Sequence, residues 1–142
     1  MDENEVREAV AMIETAKAQL EALRRQQEII RLTVDEHSRA RDTIDRIAAG
    51  DPGEDVLVPI GADSFIHAKI SDNRNAVVGI GASVSFQRTP EEADEILDAR
   101  IDELNRASRK IEDRAAQTEH SIQQLTEKIQ HFYAQSGAVQ DR

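Results

Sequence analysis

Residues 57–104 read LVPIGADSFIHAKISDNRNAVVGIGASVSFQRTPEEADEILDARIDEL, from Leu57 to Leu104, and this stretch decides the fold. Residues 55–88 have the signature of short strands, with breakers at Gly61-Ala62-Asp63, at Ser71-Asp72-Asn73-Arg74-Asn75 and at the pair Gly79 and Gly81. Ser64 to Ile70 alternates, with Phe65, His67 and Lys69 on one side and Ile66, Ala68 and Ile70 on the other. Ala82 to Phe86 alternates as well, setting Val84 and Phe86 apart from Ser83 and Ser85. Four short strands make two hairpins. About 30 residues cannot bury enough surface to stand alone, and their edges would be open to pairing. The expected remedy is pairing with the same element of other subunits. The assembly surface is then Val56, Val58, Ile60, Phe65, Ile66, Ile70, Val77, Val78, Ile80, Val84 and Phe86.

On the C-terminal side, Thr89-Pro90-Glu91-Glu92 supplies an N-cap, a proline at the first helical position and a glutamate three residues after the cap. An apolar stripe follows at alternating spacings of four and three: Leu97, Ile101, Leu104, Ser108, Ile111, Ala115, Thr118, Ile122, Leu125, Ile129, Phe132. Gly137 is its expected stop. On the N-terminal side the same spacing runs Val6, Ala9, Ile13, Ala16, Leu20, Leu23, Gln27, Ile30, Val34, His37, Arg41, Ile44, Ala48, interrupted only by Gln27, His37 and Arg41. A 3.5-residue period held over about six heptads argues for a coiled coil. Gly50-Asp51-Pro52-Gly53 ends that helix. Each helix spans roughly 43–46 residues, about 65–70 Å. Matched lengths around an insert imply that the helices fold back antiparallel, with Val6 near Ile129 and Phe132 and both termini at one far tip.

The reading is therefore an α+β chain: an antiparallel two-helix coiled coil with two central β-hairpins. Its parts are an N-terminal coiled-coil helix (1–50), a β-hairpin oligomerisation segment (51–88), a C-terminal coiled-coil helix (89–137) and a tail (138–142).

Composition agrees. Of 142 residues, 39% are apolar, 32% are charged and only four are aromatic, too thin a supply for an ordinary self-contained globule. With no cysteine, disulfides, thiol catalysis and thiolate metal sites are excluded. No apolar run is long enough to cross a bilayer, and no basic-then-apolar leader opens the chain, so the expectation is a soluble cytoplasmic protein with no membrane partner. A net charge of −10 repels phosphate backbones and argues against nucleic acid as a partner.

The order helix, paired hairpins, helix resembles the α-class subunit of archaeal prefoldin. The resemblance spans nearly the whole chain and is most specific in VPIGADSFIHAKI and in VVGIGASVSF running directly into the second helix. Four strands match the α class, since β-class subunits carry one hairpin. The resemblance implies a hexamer of two α and four β-type subunits whose strands join in an intersubunit β-barrel platform. From it six coiled coils hang, hold unfolded proteins at their tips without ATP, and deliver them to a group II chaperonin.

No residue pattern points to an enzyme or a cofactor. Gly79-Ile80-Gly81 lacks the third glycine of a dinucleotide fingerprint, Val84 standing in its place, and another strand follows instead of a helix. His37, His67, His120 and His131 are scattered without zinc spacing. Glu91-Glu92-Ala93-Asp94-Glu95 occupies first helical turns, where the dipole favours negative charge. The tips hold more information. Val6, Val10, Met12 and Ile13 of one helix face Ile129, Phe132 and Tyr133 of the other, and Val10, Met12 and Tyr133 fall off the stripe, leaving apolar surface for a non-native client. The competing reading is a structural coiled-coil adaptor that binds one folded partner.

Overall fold

A computed structural model describes residues 1–140, with side chains described through Gly137. Two helices flank two hairpins: α1 (Glu3–Ala49), β1 (Asp55–Gly61), β2 (Ser64–Lys69), β3 (Ala76–Gly81), β4 (Val84–Arg88) and α2 (Pro90–Gln140). The chain divides into two compact units, one formed by Met1–Leu32 with the chain from Asn105 onward, the other by Thr33–Leu104.

In the first unit the two helices run antiparallel. Arg24 and Gln27 of α1 meet Glu112 of α2, and Val6 shares a cavity wall with Phe132. The start of α1 is a reciprocal cap that the sequence reading did not single out. Asp2 Oδ1 accepts the Glu5 N–H at 2.8 Å, and Glu5 Oε2 accepts the Asp2 N–H at 2.6 Å. The seam follows the expected stripe: Val6, Ala9, Leu23 and Ala115 are buried, and Ile13, Ala16, Leu20, Ile122, Leu125, Ile129 and Phe132 are half-buried. Ala115 is fully sealed because a methyl group opposite a helix lets the two backbones approach. Gly137 does not stop α2, which continues to Gln140. A lone glycine costs a helix about 1 kcal/mol relative to alanine but leaves its hydrogen-bonding groups intact, and no proline follows to enforce a stop. Residues 141–142 of the expected tail lie outside the described residues.

In the second unit the helices again run antiparallel, Arg41 Nε lying 2.7 Å from Asp98 Oδ1, with Ala93 and Leu97 buried between them. The entry to α2 matches the expected cap. Thr89 Oγ1 accepts the Glu92 N–H at 3.2 Å, and the Thr89 carbonyl accepts the Ala93 N–H at 2.9 Å. After α1 ends, Asn73 Nδ2 donates to the Gly50 carbonyl at 2.8 Å, tying the inter-hairpin loop to the helix terminus.

Each hairpin is a separate two-stranded antiparallel sheet. In the first, Leu57 pairs with His67 and Val58 with Ile66; in the second, Val77 pairs with Gln87 and Val78 with Phe86. Both use one turn design. A bulge precedes a glycine at positive φ, Gly61 (103°) or Gly81 (97°), and two residues follow in the left-handed region, Ala62-Asp63 or Ala82-Ser83. This corrects the sequence reading of the second hairpin, which placed the bend at Gly79 and Gly81 and began the last strand at Ala82. The strand runs through Gly79 to Gly81, the turn is Ala82-Ser83, and β4 starts at Val84. Two-residue turns with positive φ at both central positions match the right-handed strand twist, and that requirement outweighs the intrinsic cost of left-handed alanine, serine and aspartate. The repeated Ile-Gly-Ala of residues 60–62 and 80–82 is the sequence trace of the shared turn.

Candidate interaction surfaces

Neither unit encloses a large core: among the described residues no large side chain is fully buried, and only the methyl groups of Ala93 and Ala115 are sealed. What each unit leaves open is therefore the informative part.

Each of the three polar interruptions of the α1 stripe has a partner, although Arg41 Nε is held by charge and not by a hydrogen bond. Gln27 Nε2 donates to Glu112 Oε2 at 2.6 Å, beside Arg24, which reaches both Glu112 and Glu119. Those carboxylates hold the Arg24 guanidinium pKa above its ordinary value, hydrogen bonding to Glu119 being the main cause. His37 Nδ1 lies 2.7 Å from the Thr33 carbonyl, so the ring donates to its own helix and carries its proton on Nδ1. Arg41 pairs with Asp98. One turn further along, in the same antiparallel register, Asp45 stands opposite Asp94. Asp94 Oδ1 is sealed from solvent without a hydrogen-bond donor. Burial is the first cause that pushes the Asp94 carboxyl up to about 6; hydrogen bonding to Asp45 and its charge add to the rise, and the Arg41 charge opposes it.

The predicted tip residues separate into two groups. Val6 is buried, and Ile13, Ile129 and Phe132 are half-buried, so these four close the seam. Val10, Met12 and Tyr133 remain 42%, 59% and 61% exposed. Phe132 and Tyr133 stack edge to face with ring centroids 5.5 Å apart. A cavity of about 300 Å³ is lined by Glu3, Val6, Arg7, Phe132, Tyr133 and Ser136. A second hollow of about 380 Å³ lies along the seam between Ala11, Met12, Thr15, Ala16 and Gln19 of α1 and Ser121 and Leu125 of α2. The sequence reading missed this groove, because Ala11, Thr15 and Ser121 carry no signal on their own.

The hairpins expose nearly everything they carry. Val78 is buried, and Val56 and Ile70 are half-buried. Val58, Ile60, Phe65, Ile66, Val77, Ile80, Val84 and Phe86 are each more than 40% exposed. Leu57, also 57% exposed, belongs with them; strict alternation left it out of the sequence reading, although it stands in the continuous run Val56-Leu57-Val58. The second hairpin has its own anchor, Arg100 of α2 donating to the Gly79 carbonyl at 2.5 Å. The glycine pair thus leads from a strand into a hairpin turn, with the Gly79 carbonyl held by an arginine.

Among the described residues, no group of three His, Cys, Asp or Glu side chains is placed to hold a metal ion. Among the same described residues, no helix is long and apolar enough to cross a membrane. Large apolar side chains left open on two hairpins, beside a two-helix seam with a thin core, define a subunit of a coiled-coil assembly.

The Prefoldin subunit family model matches residues 16–135, and the chain belongs to that family. The α subunit of prefoldin from Methanothrix thermoacetophila is 34% identical over 109 residues, 77% of this chain and 71% of that one. The α subunit from Pyrococcus horikoshii is 30% identical over 115 residues, 80% and 78% of the two chains. Among solved structures, a chain of the filamentous PFD from Methanocaldococcus jannaschii superposes with a TM-score of 0.73 at 23% identity, covering 83% of this chain and 98% of that one. That likeness confirms the fold of two long helices around two antiparallel hairpins. The protein is a chaperone subunit of archaeal type, and its resemblance to the α class holds.

Proposed function

We propose that the chain is an ATP-independent holdase subunit that captures unfolded proteins at the end of its coiled coil. The single observation that carries the reading is the set Val10, Met12 and Tyr133, still 42–61% exposed after the helices have paired. Exposed apolar groups next to open hollows suit a ligand without fixed structure. Each patch is too small to retain a client alone, and several on one assembly multiply weak contacts through effective concentration.

Assembly rests on the hairpins. Nine large apolar side chains stand about half exposed there, and covering them is worth roughly 1 kcal/mol each, enough to make oligomerisation the stable state. In this reading two copies join four β-type subunits through a barrel built from the strands. The cytoplasmic complex hands its client to a group II chaperonin, which displaces the tips one by one without hydrolysis.

The test is light scattering while a chemically unfolded enzyme is diluted into buffer without nucleotide. The assembled complex is compared with one lacking residues 1–13 and 130–142 of this chain. Suppressed aggregation by the intact complex, lost on trimming with assembly retained, is the expected result. Absence of suppression despite correct assembly rejects the holdase and leaves the structural adaptor that binds one folded partner.

A further inference from the structure

Among the described residues, the large apolar side chains exposed on the two helices fall in two places. Met1, Val10, Met12 and Tyr133 lie towards the free end of the first unit, whereas Ile29 and Leu32, 64% and 53% exposed, stand several turns further along α1. Ile29 follows the seam position Gln27 by two residues, and Leu32 follows Ile30 by two. Two residues turn an α-helix by about 200°, so both side chains project from the face of α1 opposite the seam. The same step from Ile13, Ala16 and Leu20 reaches Thr15, Ala18 and Ala22. A second stripe thus runs along the back of α1 from Thr15 to Leu32, with the same alternating spacing as the seam, broken only by Arg25. On α2 that step reaches Arg106, Lys110, Asp113, Gln117 and His120, all exposed. A charged back is what a two-helix coil presents to water; the back of α1 departs from it.

The period identifies the kind of partner. A row repeating every 3.5 residues over about 25 Å is matched by a second helix, whose knobs enter its holes turn after turn. An extended segment places side chains on one face about 6.6 Å apart and falls out of step with it. The margins of the stripe identify the charge. Glu14, Glu21 and Glu28, seven residues apart, border one side, and Met12, Gln19 and Gln26 border the other without charge. Glu28 holds Arg31, whereas Glu14 and Glu21 form no ion pair among the described residues. A second copy of this chain fits in neither direction. Antiparallel pairing of two such faces sets the glutamate margin against itself, and parallel pairing sets Arg25 against Arg25 of the copy.

We propose that the back of α1 from Thr15 to Leu32 is a docking surface for a helix of a different, folded protein, whose apolar stripe is bordered by lysine or arginine. Ile29 and Leu32 are the anchors. Ala18 and Ala22 admit the larger side chains of the partner, and Glu14 and Glu21 meet its basic margin. Arg25 lays its aliphatic stem along the stripe and keeps its guanidinium in water. The partner lies beside the coil as a third helix, on the side away from α2. This surface is separate from the end of the coiled coil and does not depend on the holdase reading, because its occupant is already folded.

The probe is a fluorescent three-heptad helical peptide with leucine along one stripe, lysine on both margins and alanine elsewhere. Like charges on its margins keep it from pairing with itself. Two controls accompany it: one with every lysine replaced by glutamate, and one of the same composition with the leucines scrambled off the stripe. Binding to the assembled full-length protein is read by fluorescence anisotropy at low and high salt, with aggregation suppression and native mass measured on the same samples. The lysine peptide is expected to bind at least about tenfold more tightly than either control. Ile29→Ser with Leu32→Ser should weaken it about tenfold, and Glu14→Gln with Glu21→Gln about threefold with a smaller salt dependence. Both variants should keep parental helical content, native mass and aggregation suppression. Equal binding of either control peptide, or undiminished binding by the Ile29→Ser, Leu32→Ser variant, overturns the proposal. So does loss of aggregation suppression in that variant, which makes the face a surface for unfolded clients. A changed native mass overturns it as well, because another subunit of the assembly then covers the stripe.

Discussion

Replacing Asp94 by asparagine tests the account of the second unit most sharply. Asp94 Oδ1 is sealed from solvent without a hydrogen-bond partner, and Asp45 lies near enough to act on the carboxyl. Burial first, and Asp45 second, raise its pKa from 3.8 to about 6. A carboxyl with a raised folded-state pKa binds its proton more tightly in the folded chain. Its ionisation therefore penalises folding above that value and costs nothing once both states are protonated. The penalty is absent below about pH 4, grows between about pH 4 and 6, and is complete above about pH 6. The full displacement bounds it at about 3 kcal/mol. Asp94 is only half-buried, and water and salt on its open side reduce this to roughly 1 kcal/mol. An asparagine at this position carries no charge in either state, and its amide donates to Asp45. Asp94→Asn is thus expected to raise the melting temperature at pH 7.5 by about 3–4 °C, with the gain shrinking to nothing by pH 4. Circular dichroism melts at fixed protein concentration, taken from pH 4 to 8 on parent and variant, provide the assay. Two parallel pH curves, or a variant less stable than the parent at pH 7.5, would refute the reasoning.

Other substitutions separate the roles of the parts. Phe65→Asp with Val77→Asp, both at side chains more than half exposed in the subunit, is expected to leave helical content intact and abolish hetero-oligomers in native mass spectrometry of the co-expressed complex. Gly81→Ala places a Cβ in open space, so its cost, about 1–2 kcal/mol, comes from φ at 97° alone; denaturant melts should show it. Gly137→Ala, inside α2 and equally unobstructed, should stabilise by up to about 1 kcal/mol in the same measurement. Leu97→Ala, at a buried seam position, should cost about 2–3 kcal/mol in chemical denaturation and leave peptide binding by the first unit unchanged.

Much of this architecture was legible in the chain itself. The spacing from Leu97 to Phe132 and from Val6 to Ala48 announced two seam-forming helices, and Thr89-Pro90-Glu91-Glu92 located the start of α2 within a residue. Such signals are local: a heptad repeat or an N-cap acts over one or two turns and needs no knowledge of what lies opposite. Val10, Met12 and Tyr133 were read as exposed for the same reason, since their angular position on the helix follows from the count of residues.

Tertiary structure decided whatever depended on a partner. Gln27 and Arg41 looked like breaks in the stripe until Glu112 and Asp98 stood across from them, and Asp94 looked like an ordinary first-turn acid until Asp45 faced it. The second turn settled on Ala82-Ser83 because pairing Gly81 with Val84 leaves only those two residues to reverse the chain, a condition that the glycines alone do not reveal. The uncharged groove along Ala11–Gln19 exists only when Ser121 and Leu125 are laid against it. Periodicity states which face of a helix is apolar; which charges, cavities and carboxyl pairs result depends on the register between two helices. That register is set by the sum of many weak contacts between residues from about fifty to more than a hundred positions apart on the chain.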